Sequence, residues 1–113
     1  MSVEGIRRVV ITGLGVISPN ASNIADFWAT ILAGQSAAGP LTRFPAAGAP
    51  VSIACEIRDF EPGKFMDAKN ARRLDPSIQF AIAASILAVR DSGLDIAAVE
   101  PRISELLGRA AGP

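Results

Sequence analysis

The apolar positions of this chain follow three different spacings, and each spacing predicts a different element. Val9-Val10-Ile11-Thr12 is an unbroken, mostly β-branched run preceded by two bases, Arg7 and Arg8. A run of that kind predicts a strand buried on both faces, as in the parallel sheet of an α/β protein. Gly13 and Gly15 follow, one residue apart, before a second short run that stops at Pro19. Glycines so placed fit a close backbone approach or unusual dihedrals. After Pro19 the spacing becomes helical. Ile24, Phe27, Trp28, Ile31 and Leu32 fall at i, i+3, i+4, i+7 and i+8, a single stripe that predicts Trp28 as a core anchor. Ser22 or Asn23 serves as N-cap, Asp26 favours the first turn, and Gly34 ends the helix.

Residues 35–50 turn to Gly, Pro, Ala and Ser and read as a connecting loop. Residues 51–60, VSIACEIRDF, place apolar side chains at 51, 53, 55 and 57, the period-two pattern of a half-buried strand. Glu61-Pro62-Gly63 turns the chain. Residues 75–94 are the clearest helix, with Asp75 as N-cap, Pro76 at the first helical position, Arg90 in the last turn and Gly93 at the cap. This helix is apolar nearly all round, which predicts burial, and its alanines permit close approach by a neighbouring helix or subunit. No internal repeat is visible.

At 113 residues, half of them apolar and 19% charged, the chain suits one domain and not disorder throughout. Eleven bases balance eleven acids, so there is no electrostatic case for general nucleic-acid binding. One cysteine excludes an internal disulfide and fits a reducing cytoplasm. Arg7-Arg8 with its apolar run could suggest an export signal, but Glu4 precedes it and Thr12, Gly13 and Gly15 dilute it, which favours a cytoplasmic strand. No run approaches a transmembrane length, and no membrane partner is expected.

Three features invite a chemical reading. Cys55 is the only thiol, but an acyl-transfer nucleophile needs an activating base, and the chain has no histidine. In an alternating strand a small apolar side chain fits a packing role. Gly13-Leu14-Gly15 lacks the third glycine of a dinucleotide loop, since Ser18 stands there, and Pro19 interrupts the helix start, so nucleotide binding is rejected. Lys69, Arg72 and Arg73 lie at i, i+3 and i+4 and share a face on helical geometry, to which Lys64 is a candidate addition by position. From the residues alone that face reads as solvated, partly neutralised by Asp67 and Asp75. No pair of carboxylates and no metal-ligand cluster stands out, so no catalytic, cofactor-binding or metal-binding residue is assigned.

Taken in order, RRVVITGLGVISP, the Phe27-Trp28 pair, ILAGQSAAG, Thr42-Arg43-Phe44, IACEIRDFEPGKFMD and KNARRLDPSIQFAIAASILAVRDSGLDI resemble the N-terminal part of β-ketoacyl-acyl-carrier-protein synthases, most closely the bacterial type II elongation enzyme. Polyketide ketosynthase subunits share most of this text. The resemblance covers roughly residues 6–96. It implies an α/β fold, here the N-terminal part of the first half of a thiolase-like αβαβα sandwich, and a homodimer. It implies a decarboxylative condensation of a cysteine-held acyl group with a malonyl-carrier thioester, assisted by two histidines and needing no cofactor. It also implies that Gly13 and Gly15 are structural in the first core strand. Finally, it implies that Lys69, Arg72 and Arg73 match the positions that dock the acidic acyl carrier protein.

The family's nucleophile lies in a strand-to-helix turn that these residues do not include, so the chain alone is expected to be inactive. Residues 1–96 are expected to form an incomplete ketosynthase segment, and residues 97–113 a divergent tail. In that tail Ile103, Leu106, Leu107 and Ala110 have helical spacing. The first expectation is a truncated or frame-shifted ketosynthase fragment. The second is a non-catalytic carrier-binding or heteromeric module that borrows strands from a full-length ketosynthase. An enzyme of unrelated chemistry is the least supported of the three.

Overall fold

A computed structural model describes residues 5–98. The elements are α1 (Ile24–Leu32), β1 (Ala38–Pro40), β2 (Ile53–Cys55), α2 (Ala68–Ala71) and α3 (Pro76–Ser92), with short 3-10 turns at Pro62–Lys64 and Ile96–Ala98. β1 and β2 form an antiparallel ribbon in which Ala38 faces Cys55, Gly39 faces Ala54 and Pro40 faces Ile53. The bond from Leu41 N to Ser52 O, 2.9 Å, continues the ladder by one step.

The caps of the two longer helices follow their sequences. In α1, Asn23 accepts from Asp26 N through its side chain, and its amide donates to the Asp26 carboxylate at 2.7 Å. In α3, Pro76 opens the helix behind Asp75, whose backbone is extended. Asp75 contributes its carbonyl, which receives Ile78 N and Gln79 N at 3.0 Å each, and its side chain makes no cap bond. Gly93 ends α3 in the left-handed region at φ 66°, a conformation that glycine adopts without a Cβ penalty.

The contact between the first run and α3 is made of backbone. A Cβ built on Gly15 would overlap Ala84 O and lie 2.6 Å from Ala88 N. One built on Gly13 would overlap Ala88 O and lie 2.8 Å from Ser92 Cα. Ala84, Ala88 and Ser92 recur every four residues and form a row of small side chains along α3. The extended chain rests in that row, and Leu14 N donates to Asp91 Oδ2 at 2.9 Å to fix the crossing. The alanines of α3 therefore receive the extended chain at Gly13 and Gly15.

Several expectations are corrected. Val9 and Ile11 are 92% and 83% exposed, and residues 6–18 pair with no strand among the described residues. A run of β-branched residues gains burial only from strands on either side, and those neighbours are not among residues 5–98. Trp28 is 58% exposed, so it is not a core anchor: its side of the α1 stripe meets no facing layer among the described residues. Ala83 is the one fully buried apolar residue of α3, much of whose remaining apolar surface is half-buried. The loop predicted over 35–50 contains β1, and within 51–60 only Ile53–Cys55 is strand. There the inward positions are Ala54 and Glu56, while Val51, Ile53 and Cys55 face solvent, the reverse of the predicted face. Apart from Ala97 and Ala98, which lie in the last 3-10 turn, the predicted tail falls outside the described residues.

Replacing Gly15 by alanine forces backbone apart from backbone. We expect Gly15→Ala to cost about 2 kcal/mol or more, seen as a lower urea midpoint by far-UV circular dichroism. Gly63, with nothing within 4 Å of its Cβ position, is the control. Gly63→Ala should stay within about 0.5 kcal/mol of the parent.

Candidate functional site

Asp67 starts the basic turn. Its Oδ1 accepts from Asn70 N at 2.8 Å and its Oδ2 from Asn70 Nδ2 at 2.8 Å. An aspartate in this position satisfies backbone donors that have no partner inside the helix. Winding then proceeds through Ala71 N to Asp67 O at 3.0 Å and Arg72 N to Ala68 O at 3.3 Å. It tightens through Arg73 N to Asn70 O at 3.0 Å and Leu74 N to Ala71 O at 3.4 Å. Lys69, Arg72 and Arg73 are therefore carried on one continuous turn, and all three are exposed. The regular helix is only Ala68–Ala71, shorter than the spacing predicts, and Arg72 is its C-cap.

The neighbouring acids make no direct ion pair with this turn. Asp67 is engaged in capping, and among the described residues neither it nor Asp75 forms an ion pair with Lys69, Arg72 or Arg73. Lys64 instead pairs with Glu61 at 3.2 Å, an exposed contact that withdraws it from the patch. The result is an outward-facing cluster of three cations. Such a cluster steers and orients an acidic partner, with strong dependence on salt. It makes and breaks no bonds.

Two features place the turn against the rest of the fold. Gln79 Nε2 donates to Ala71 O at 2.7 Å and to Leu74 O at 3.1 Å, tying the end of α2 to the first turn of α3. Phe60 stacks on Phe65 at 5.9 Å and meets Phe80 edge to face at 4.9 Å, joining the segment after β2 to the end of the 3-10 turn before α2 and to α3. Sequence reading missed Gln79. The available signal was a long amide within an otherwise apolar stretch of α3.

Glu56 was also missed, and it is the one buried charged residue among those described. Its Oε1 accepts from Thr42 N and Arg43 N at 3.0 Å each, and its Oε2 accepts from Thr42 Oγ1 at 2.7 Å. Arg58 lies 3.5 Å from Oε2 while donating to Pro40 O at 2.8 Å. The carboxylate thus ties the chain just after β1 back to the residue that follows β2. The Thr42 hydroxyl, followed by the Thr42 amide, holds the Glu56 carboxyl below the ordinary 4.5 of a glutamate; burial opposes them, and Arg43 N and Arg58 add smaller lowering contributions. Cys55, next in the chain, is exposed, so the packing role expected of it is not realised. With no histidine in the chain it has no imidazole base. No group of three or more His, Cys, Asp or Glu side chains fit to hold a metal occurs among the described residues.

Comparison with solved structures gives the class of fold. The ishigamide ketosynthase/chain length factor superposes with a TM-score of 0.73 at 42% identity, covering 79% of this chain and 22% of that one. This is a partial thiolase-like α/β fold. The family model described as the beta-ketoacyl synthase N-terminal domain matches residues 6–112, and the chain belongs to that family. It is 45% identical over 107 residues to the 3-oxoacyl-[acyl-carrier-protein] synthase 2 of Coxiella burnetii, covering 94% of this chain and 26% of the relative. It is 42% identical over 114 residues to the tetracenomycin polyketide synthase ketoacyl synthase alpha subunit of Streptomyces glaucescens, covering 99% and 26%. The chain thus spans about a quarter of the length of these curated relatives. No helix among the described residues is long and apolar enough to cross a membrane.

A carboxyl that titrates lower when folded than when unfolded favours folding through its ionised form. The contribution of Glu56 is complete above its unfolded value, near 4.5, and is lost as pH falls through the lower folded value. We therefore expect Glu56→Gln to reduce ribbon stability at pH 7 and to flatten its dependence on pH below about 4.5. Amide exchange at Thr42 and Arg43 reads both effects.

Proposed function

We propose that this chain supplies the N-terminal scaffold and the carrier-docking turn of a β-ketoacyl-acyl-carrier-protein synthase. In the family reaction an acyl group is transferred to a cysteine as a thioester. Decarboxylation of a malonyl thioester generates the carbanion equivalent that attacks this acyl carbonyl. A carbon–carbon bond forms, carbon dioxide leaves, and the cysteine thiolate is released. The product belongs to fatty-acid or polyketide synthesis. The residues that perform these steps are not among those described here, and Cys55 is not one of them, so residues 1–113 alone are expected to have no condensing activity. The working assembly in this reading is a cytoplasmic dimer.

The observation that carries the docking role is that Lys69, Arg72 and Arg73 are exposed and without an ion pair among the described residues, on a turn clamped at both ends. The partner of matching charge is the acidic acyl carrier protein, which delivers substrate on its prosthetic arm. A second reading, a heteromeric partner of a complete ketosynthase, draws on the solvent exposure of Val9 and Ile11. An unpaired apolar strand is a ready template for a neighbouring strand. A stoichiometric complex with a ketosynthase subunit by size exclusion would favour that second reading.

The docking role is tested by reversing charge. We expect Arg72→Glu with Arg73→Glu to weaken binding of acyl carrier protein at least about tenfold at low salt. The difference should shrink as salt rises. Fluorescence anisotropy with labelled carrier measures it, and unchanged affinity at low salt would contradict the proposal.

A further inference from the structure

We propose that Gln79 is a positioning residue for carrier docking, its side-chain amide holding the short backbone segment that presents Arg72 and Arg73. This rests on the docking reading above and assigns a role to a residue outside the charged cluster. The two carbonyls that Gln79 Nε2 engages, Ala71 O at 2.7 Å and Leu74 O at 3.1 Å, bracket the two arginines in sequence. A primary amide has two N–H donors, which matches the two carbonyl acceptors. The opposite orientation would aim the amide oxygen at both carbonyls, so the chemistry dictates which way the group points.

Segment 72–74 needs such a clamp. Arg72 is the C-cap of a four-residue helix, and the bond from Leu74 N to Ala71 O is long at 3.4 Å. The last carbonyls of a helix lack donors within it. A helix of one turn is too short to hold its own end in place. Gln79 sits one turn into α3, a 17-residue helix, and ties this frayed end to it. Arginine side chains are long and lose rotamer freedom on binding. Fixing the backbone at 72 and 73 restricts where the guanidinium groups can reach before the partner arrives. The charge of the surface does not change when Gln79 is altered, so any effect on docking is one of placement.

A double-mutant cycle on the full chain, read by anisotropy with labelled acyl carrier protein, tests this. Gln79→Leu keeps most of the side-chain volume and removes both donors. We expect it to lower carrier affinity about fivefold when Arg72 and Arg73 are present, and less than about twofold in the Arg72→Ala, Arg73→Ala background. Gln79→Asn, one methylene shorter and unable to bridge both carbonyls, is the gentler variant and should lose about threefold with the fold intact by circular dichroism. Equal losses in both backgrounds would overturn the positioning role in favour of a general structural one. If the arginine substitutions weaken binding but neither Gln79 variant does, the Gln79 assignment alone fails. If the arginine substitutions are silent, the docking reading fails and the Gln79 role with it.

Discussion

Where Gly13 and Gly15 cross α3, main chain lies directly on main chain, and the placement of the N-terminal run depends on that contact. Two absent Cβ atoms on one side and the small row Ala84, Ala88 and Ser92 on the other let an extended segment lie against a helix. Leu14 N on Asp91 Oδ2 then fixes where along α3 the crossing falls. Through this contact the run at 6–18 is held beside a helix whose opposite end carries Gln79 and, through it, the basic turn. The same α3 therefore joins the N-terminal run to the basic turn.

Large side chains contribute less to this arrangement than backbone and polar contacts do. No large side chain is fully buried among the described residues, and Ala83 is the one fully buried apolar residue. In place of a broad core, order comes from specific polar contacts at segment ends. Glu56 gathers Thr42 and Arg43, Asp67 caps α2, and Gln79 ties α2 to α3. Each of these groups satisfies backbone donors or acceptors that the short elements leave open. The exposed side chains of Val9 and Ile11 are the complement of that economy, an apolar run that meets no facing layer among the described residues.

Helices were legible because their signals are local. The apolar stripe of α1, its Asn23 cap, Pro76 and the left-handed Gly93 all act within a turn or two of themselves. The need for close approach at Gly13 and Gly15 was legible too, although the partner was not: spacing alone cannot say that Ala84 and Ala88 receive an extended chain. The ribbon was misread for a physical reason. Hydropathy places a glutamate outside, whereas Glu56 lies inside because Thr42 and Arg43, far away in sequence, supply its hydrogen bonds. Burial of the first run and of Trp28 was over-read because burial depends on what lies opposite, which no single segment encodes. Of the basic turn, the charges at 69, 72 and 73 were legible, while the capping bonds of Asp67 and the lack of an ion pair to either flanking acid were not.

The chemistry that follows is electrostatic. A chain with balanced total charge still presents three exposed cations on one turn, none of them held in an ion pair among the described residues. In the proposed reading such a surface governs encounter and orientation with an acidic partner. The most direct test is a titration of the ¹⁵N-labelled chain with unlabelled acyl carrier protein, followed by amide chemical shifts. The account calls for shifts concentrated between Lys64 and Gln79 that fade as salt is raised. Shifts absent at low salt, or confined to residues 6–18, would contradict it.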